Sequence, residues 1–303
     1  MKGTLAVARY TLVELSRRRL LLVFFIIGAV GIAVIGAAFK IAATVSPASI
    51  SFSGPNGTIA PDQASLDRLT ELQYVSQLID VVGFFALLIA FAIGMTAIYH
   101  DLESGSAVGI FSKPVSRLAF TTGKVLAALV AMFVIVGVLS LETRLIATLF
   151  GGGLEGALWV ETVAAVANAS LLMLIVLALS AWMNNIIAAV VAFVYNGVAF
   201  YVVLLHSVLV SGSLGDNAWV KAGLDIAYWL FPHNLMSDAK RQLAQAEYDV
   251  FAKSIPQGQG GPTVADFLNN VPGASDLTDI IWWAFLVVLM ATLVYVAVRR
   301  RQV

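Results

Sequence analysis

Six apolar runs, each close to the thickness of a bilayer core, constrain this chain more than any other feature. The clearest is "IIWWAFLVVLMATLVYVAV" at 280–298, which carries no charge. A membrane-spanning helix needs about 20 apolar residues. In hydrocarbon it must also satisfy every backbone N–H and C=O internally, which a helix does. The other runs lie at 20–43, 78–99, 119–141, 160–182 and 186–210. The third holds Lys124 near its start, so its charge-free part runs from Val125 to Leu141. The fourth and fifth are separated by "MNN" at 183–185, which predicts a tight helical hairpin. The pattern predicts an all-α polytopic membrane protein of six transmembrane helices, one transmembrane domain over 1–303. Composition agrees: 60% of the residues are hydrophobic and 12% charged, with mean hydropathy +0.90, against about 25% charge in a soluble domain. The chain has no cysteine, which excludes disulfides and thiolate metal sites.

The first run follows five basic residues, Lys2, Arg9, Arg17, Arg18 and Arg19. The small residues in "AFKIAATVSPAS" at 38–49 imitate a signal-peptide cleavage site. The run before Lys40 is long enough to span, so a retained anchor is expected. Six spans put both termini on one side, and the flanking Lys and Arg say which. The N-terminal segment, the 100–118 loop (Lys113, Arg117) and the tail (Arg299, Arg300, Arg301) are basic. The opposite loops, 44–77 and 142–159, hold only Arg68 and Arg144, with Lys40 at the first helix's outer end. The expectation is a multi-pass protein of a prokaryotic cell membrane. Its termini, the 100–118 loop and the 183–185 turn would be cytoplasmic, and 44–77, 142–159 and 211–279 external.

Residues 1–19 are amphipathic, with Leu5, Ala8, Leu12 and Leu15 on one helical face. They can form a helix lying along the inner interface, its arginines near anionic headgroups of the lipid membrane. The alternative is a simple positively charged topogenic flank. Outside, 44–77 begins irregular and turns helical at "SLDRLTELQYVSQLID", which runs on into the second span; "NGT" at 56–58 is a sequon short enough to arise by chance. In 211–279, Pro232 interrupts an aromatic-rich piece ending near Phe231. Ser237 can cap a short helix that groups Leu243, Ala246 and Val250, and Thr263 with Asp266 resembles a capping box. An ordered external element, partly membrane-hugging and able to receive an external protein, is expected there.

Enzyme chemistry finds little support. The three histidines are His100, His206 and His233, and no HExxH, GxSxG or aspartate-rich metal pattern occurs. Adjacent helical residues such as His206 and Ser207 point about 100° apart and do not face each other. Nothing in the spacing of Asp225, His233 and Asp238 selects a metal. No GxxxxGK[ST] is present, so the chain binds no nucleotide by a P-loop of its own and is expected to hold no metal or cofactor. Nothing points to nucleic acid. Asn168, Ser170, Tyr195 and Asn196 lie within spans. They can bond neighbouring helices at about 1 kcal/mol each, or Asn168, Tyr195 and Asn196 can line a substrate path. Glu142 and Arg144 sit at a span end, where both reach water. Ala29, Ala33 and Ala37, with Gly28, Gly31 and Gly36 among them, give the first span two small-residue faces that permit close helix contact.

The 101–118 loop is richer than a connector needs to be. Glu103 to Phe111 can form a short helix with Val108 and Phe111 as apolar knobs, and Pro114 stops it. Ser116 can cap the next helix, and Arg117 and Lys124 mark where the chain re-enters the membrane. An exposed helix with apolar knobs suits insertion into a partner's groove.

The order of residues in "DLESGSAVGIFSKPVSRLAFTTGK" resembles the signature of ABC-2 type permeases, the membrane subunits of one exporter class of ABC transporters. Glu103, Gly105, Ser112, Lys113, Pro114, Ser116, Arg117, Gly123 and Lys124 match that pattern in order, and "ARYTLVELSRRRLLLVFF" is similar to the family's opening. In overall shape the chain resembles the membrane component of nitrous-oxide-reductase maturation transporters. The likeness is specific at 101–124 and general elsewhere; the 44–77 loop and the long 211–279 segment depart from a minimal member.

The resemblance implies a half-transporter without catalytic residues. A second copy of the chain, or a related permease, would complete the translocation path. Two separate ATPase subunits would carry ATP and Mg²⁺. The loop would couple to them through Glu103, Gly105, Val108, Phe111, Lys113, Pro114 and Arg117. The other readings are an integral-membrane enzyme, which needs convergent catalytic residues, and a non-catalytic channel or scaffold. No span shows a charge pattern that selects an ion, a lipid, a drug or a polysaccharide.

Overall fold

A computed structural model describes residues 2–45, 52–54, 57–59, 62–99, 101, 115–151, 155–210, 218–232, 234–254, 264, 268, 271 and 274–300. Its helices are α1 (Lys2–Ser16), α2 (Arg19–Val45), α3 (Gln63–Thr96), α4 (Arg117–Gly151), α5 (Glu155–Trp182), α6 (Asn185–Val210), α7 (Ala218–Leu230), α8 (Ala239–Ser254) and α9 (Leu277–Arg300). Six of them (α2, α3, α4, α5, α6 and α9) are long and apolar enough to cross a membrane. The stretch expected to be irregular after residue 44 contains a small hairpin of β1 (Phe52–Gly54) and β2 (Gly57–Ile59), with Phe52 opposite Ile59.

Local chemistry sets the helix starts. Asp62 caps α3, its carboxylate accepting from the Ser65 N–H at 3.3 Å. Helix α3 then runs unbroken for 34 residues, so the segment before the expected second span is part of the same helix. The Ser116 hydroxyl accepts from the Ala119 N–H and caps α4. Asn184 accepts from the Ile186 N–H in the two-residue turn, Met183–Asn184, before α6. Asp276 and Asp279 accept from each other's backbone N–H at 2.9 and 3.2 Å, a reciprocal capping box opening α9.

Two helices form the centre. In α5, 67% of the most apolar stretch is buried and in α3 56%, against 17% in α6 and in α9 and 22% in α2. The last three therefore lie at the periphery. In lipid there is no hydrophobic drive to bring spans together, so close packing carries the association. Gly94 of α3 shows how close: a Cβ there would sit 2.7 Å from Val176 Cβ and 2.9 Å from the Met173 carbonyl oxygen of α5. The small residues of α2 divide their work. Gly28 and Gly31 lie against the Phe85 ring and Gly36 against Ile146 and Tyr74, all within the chain, while Ala33 and Ala37 face outward.

Candidate functional sites at the two ends of the bundle

The end that carries both described terminal helices is organised around the start of α4. Helix α1 is separated from α2 at Arg17–Arg18 and lies on α4. The expected apolar face of α1 is rotated in the structure: Val7, Ala8, Thr11 and Leu15 are buried, whereas Leu5 is 68% exposed. Two features turn it. Thr11 can be buried because its hydroxyl donates to the Val7 carbonyl at 2.9 Å. Gly123 allows close approach: a Cβ there would lie 2.8 Å from both the Thr4 carbonyl oxygen and Val7 Cβ.

Beside it, Lys124 is fully buried. Its ammonium donates to the Glu14 carboxylate of α1 at 3.1 Å and pairs with Asp101, which is itself buried where the chain leaves α3. Arg18 pairs with Glu14 from its other side, so two cations balance two carboxylates. The rings of Tyr10 and Phe120 lie 5.7 and 5.9 Å from the ammonium. Ionisable groups within a membrane bundle are costly and mark function by default. The sequence signal was a lysine just inside an apolar run. Its partners, 110 residues away in one case, left no periodic trace.

Of the residues expected to couple to an ATPase, Glu103, Gly105, Val108, Phe111, Lys113 and Pro114 lie outside the described residues. Arg117 lies within them, at the first position of α4, and donates to the Arg299 carbonyl at 2.5 Å. Arg300 stacks over Trp182, 5.5 Å from the ring centre. The ends of α5 and α9 are thus gathered beside the start of α4.

At the opposite end the chain folds back along the outside of α6, with none of the residues of α7 buried. Helix α7 returns beside α6, where the Asp225 carboxylate lies 3.1 Å from His206 Nε2 and the Tyr228 ring stacks on His206 at 4.1 Å. Further along, Tyr195 donates to the Leu230 carbonyl at 3.2 Å. From His206 to Tyr195 is about 16 Å along a helix, so the segment expected to hug the surface reaches well down α6. Asn168, near the middle of α5, donates to the Leu235 carbonyl at 2.9 Å and accepts its N–H at 2.7 Å. Both polar side chains are thus occupied by the turn at 230–235. Asn196 is half-buried one position from Tyr195.

Further bonds fasten the same segment. Ser237 donates to Glu161, Lys240 to Asp80 at 2.8 Å, and the Met236 N–H to Ser275 at 2.8 Å. Leu243 and Phe251 of α8 are buried, with Ala246 and Val250 packed against the core. Tyr228 donates to Asp279 at 3.0 Å. Burial first, then that neighbouring carboxylate, hold its phenol above the ordinary tyrosine range, so it remains a donor. Arg144 lies 4.9 Å over the Trp159 ring, and Glu142 is half-buried. Asn56, His233, Thr263 and Asp266 lie outside the described residues. Among the described residues no group of three or more His, Cys, Asp or Glu side chains is placed to hold a metal ion.

Neither a scan against protein-family models nor a search of curated proteins finds a match. Six apolar helices and their packing identify the chain as a helix-bundle, multi-pass membrane protein.

Proposed function

We propose that the chain is the permease subunit of an ATP-driven ABC-2 type transporter of the exporting class. It would work as a dimer with itself or a related permease, in a cell membrane with both termini cytoplasmic. Two separate ATPase subunits would supply ATP hydrolysis and dock on the 101–118 loop. One observation carries the reading beyond residue order: Gly123 and Lys124, two positions the resemblance singles out, are where α1, the end of α3 and the start of α4 are fastened together. A force applied to the loop between α3 and α4 therefore has a mechanical route into the bundle.

ATP binding can shift such a bundle between two states only by its differential affinity for them, so the permease must both grip the ATPase and have two arrangements. The test of the grip is direct. Replacing Val108 and Phe111 together by aspartate is expected to abolish capture of the ATPase subunit by the tagged chain. Undiminished capture would sink the coupling assignment.

A further inference from the structure

We infer that Lys124 is a positioning residue that holds α1 and the root of the 102–114 segment in one register on α4. What it transmits depends on the coupling role proposed above; the fastening itself does not.

Three elements converge on one ammonium group. Lys124 is on the second turn of α4, Glu14 is in the last turn of α1, and Asp101 lies at the exit from α3. An ammonium has three donors and no acceptor, so it can hold carboxylates on two other elements at once. The partners have little freedom to rearrange. Lys124 is 0% exposed and Asp101 2%. Arg18 grips Glu14 from the far side, and Gly123 brings the α1 backbone so close that the helix has no space to slide inward.

Stability alone does not explain such a cluster. Replacing a buried ion pair or triad by apolar residues is often neutral or stabilising, while removing one partner costs about 3–5 kcal/mol. What the charges add is dependence on position. Lys124 satisfies both carboxylates only when α1, α4 and Asp101 stand in one relative arrangement. Movement of the segment after Asp101 must then carry α1 and the start of α4 with it, or leave charges buried and unpaired. Helix α1 leads directly into α2, so the same fastening reaches the first span.

The test uses the full chain, which has no native cysteine. Spin labels at Leu5→Cys and Leu118→Cys occupy exposed positions on α1 and α4, and pulsed EPR in nanodiscs reads the distance between them. The unaltered charge set should give one narrow distance. The triple variant K124M/E14Q/D101N should keep the melting temperature yet give a broad distribution; a narrow, unchanged distance in the folded triple variant would overturn the inference. D101N alone provides a second, milder measurement. It should leave the Leu5–Leu118 distance narrow but speed hydrogen exchange of the Asp101 amide, which donates to the Ile98 carbonyl at 3.1 Å, and unchanged exchange there would overturn the inference equally. Both quantities are read without nucleotide or ATPase. A chain that binds no ATPase would defeat the transporter reading and leave this result standing. ATPase binding with unchanged distances would defeat only the fastening role.

Discussion

Asn168 and Leu235 are joined by two hydrogen bonds, the side-chain amide of one donating to and accepting from the backbone of the other at 2.9 and 2.7 Å. An asparagine near the middle of a span thus supplies what a strand neighbour would otherwise supply to a half-buried turn packed beside α5. Asn168→Leu removes both partners and leaves a backbone N–H and C=O unpaired. The cost of such orphaned groups is about 1–3 kcal/mol each. The variant should show faster hydrogen exchange confined to the turn around Leu235 and the start of α8, and a lower melting temperature in detergent.

Gly123 and Gly137 are two glycines of one helix with opposite surroundings. A Cβ at Gly123 would collide with α1, whereas a Cβ at Gly137 meets nothing within 4 Å. Gly→Ala inside a helix otherwise gains up to about 1 kcal/mol. Gly123→Ala should therefore lift α1 from α4, read as increased protease cleavage near Arg9 and Arg17. Gly137→Ala should leave the cleavage pattern unchanged and the melting temperature equal or higher.

Glu247 lies half-buried on α8, and burial raises its carboxyl above the ordinary value of 4.5. The folded state therefore binds the proton more tightly than the unfolded state. Stability from this group is fully present below the ordinary value and is lost as pH rises through the raised native value. Glu247→Gln should make the protection of α8 amides, corrected for intrinsic exchange, flatter with pH across that window and higher at neutral pH.

Orientation has its own test. With both termini cytoplasmic, a cysteine placed at Ser104 is labelled by an impermeant maleimide only after permeabilisation, and one at Asn56 in intact cells. The reverse pattern would invert the proposed topology and place the docking loop out of reach of any cytoplasmic ATPase.

The spans were legible because their signal is local: runs such as 280–298 need no partner to declare themselves. The continuity of α3 was legible for the same reason. The face of α1 was legible only in part: Ala8 and Leu15 are buried and Leu12 half-buried as expected, but close approach at Gly123 and the self-satisfied hydroxyl of Thr11 bring Val7 and Thr11 inward and leave Leu5 exposed. The hairpin at 52–59 is too short for alternation to show. Asn168 and Tyr195 stood out as polar residues in spans, but their partners lie 67 and 35 residues away in a returning segment. Composition pointed to an ordered, partly membrane-hugging element there, and α7 keeps an exposed apolar surface at Trp219, Ile226 and Leu230; the pairing of the following turn with Asn168 had no local signal. The Lys124 cluster depends on three distant stretches meeting, which no window on the sequence contains.

The most direct measurement is the composition of the complex purified from native membranes through a tag on this chain. The account predicts a P-loop ATPase subunit in equal molar amount, two permease and two ATPase subunits by native mass spectrometry, with ATP hydrolysis by the assembled complex. A chain that elutes intact and folded, alone or only with copies of itself, would contradict it.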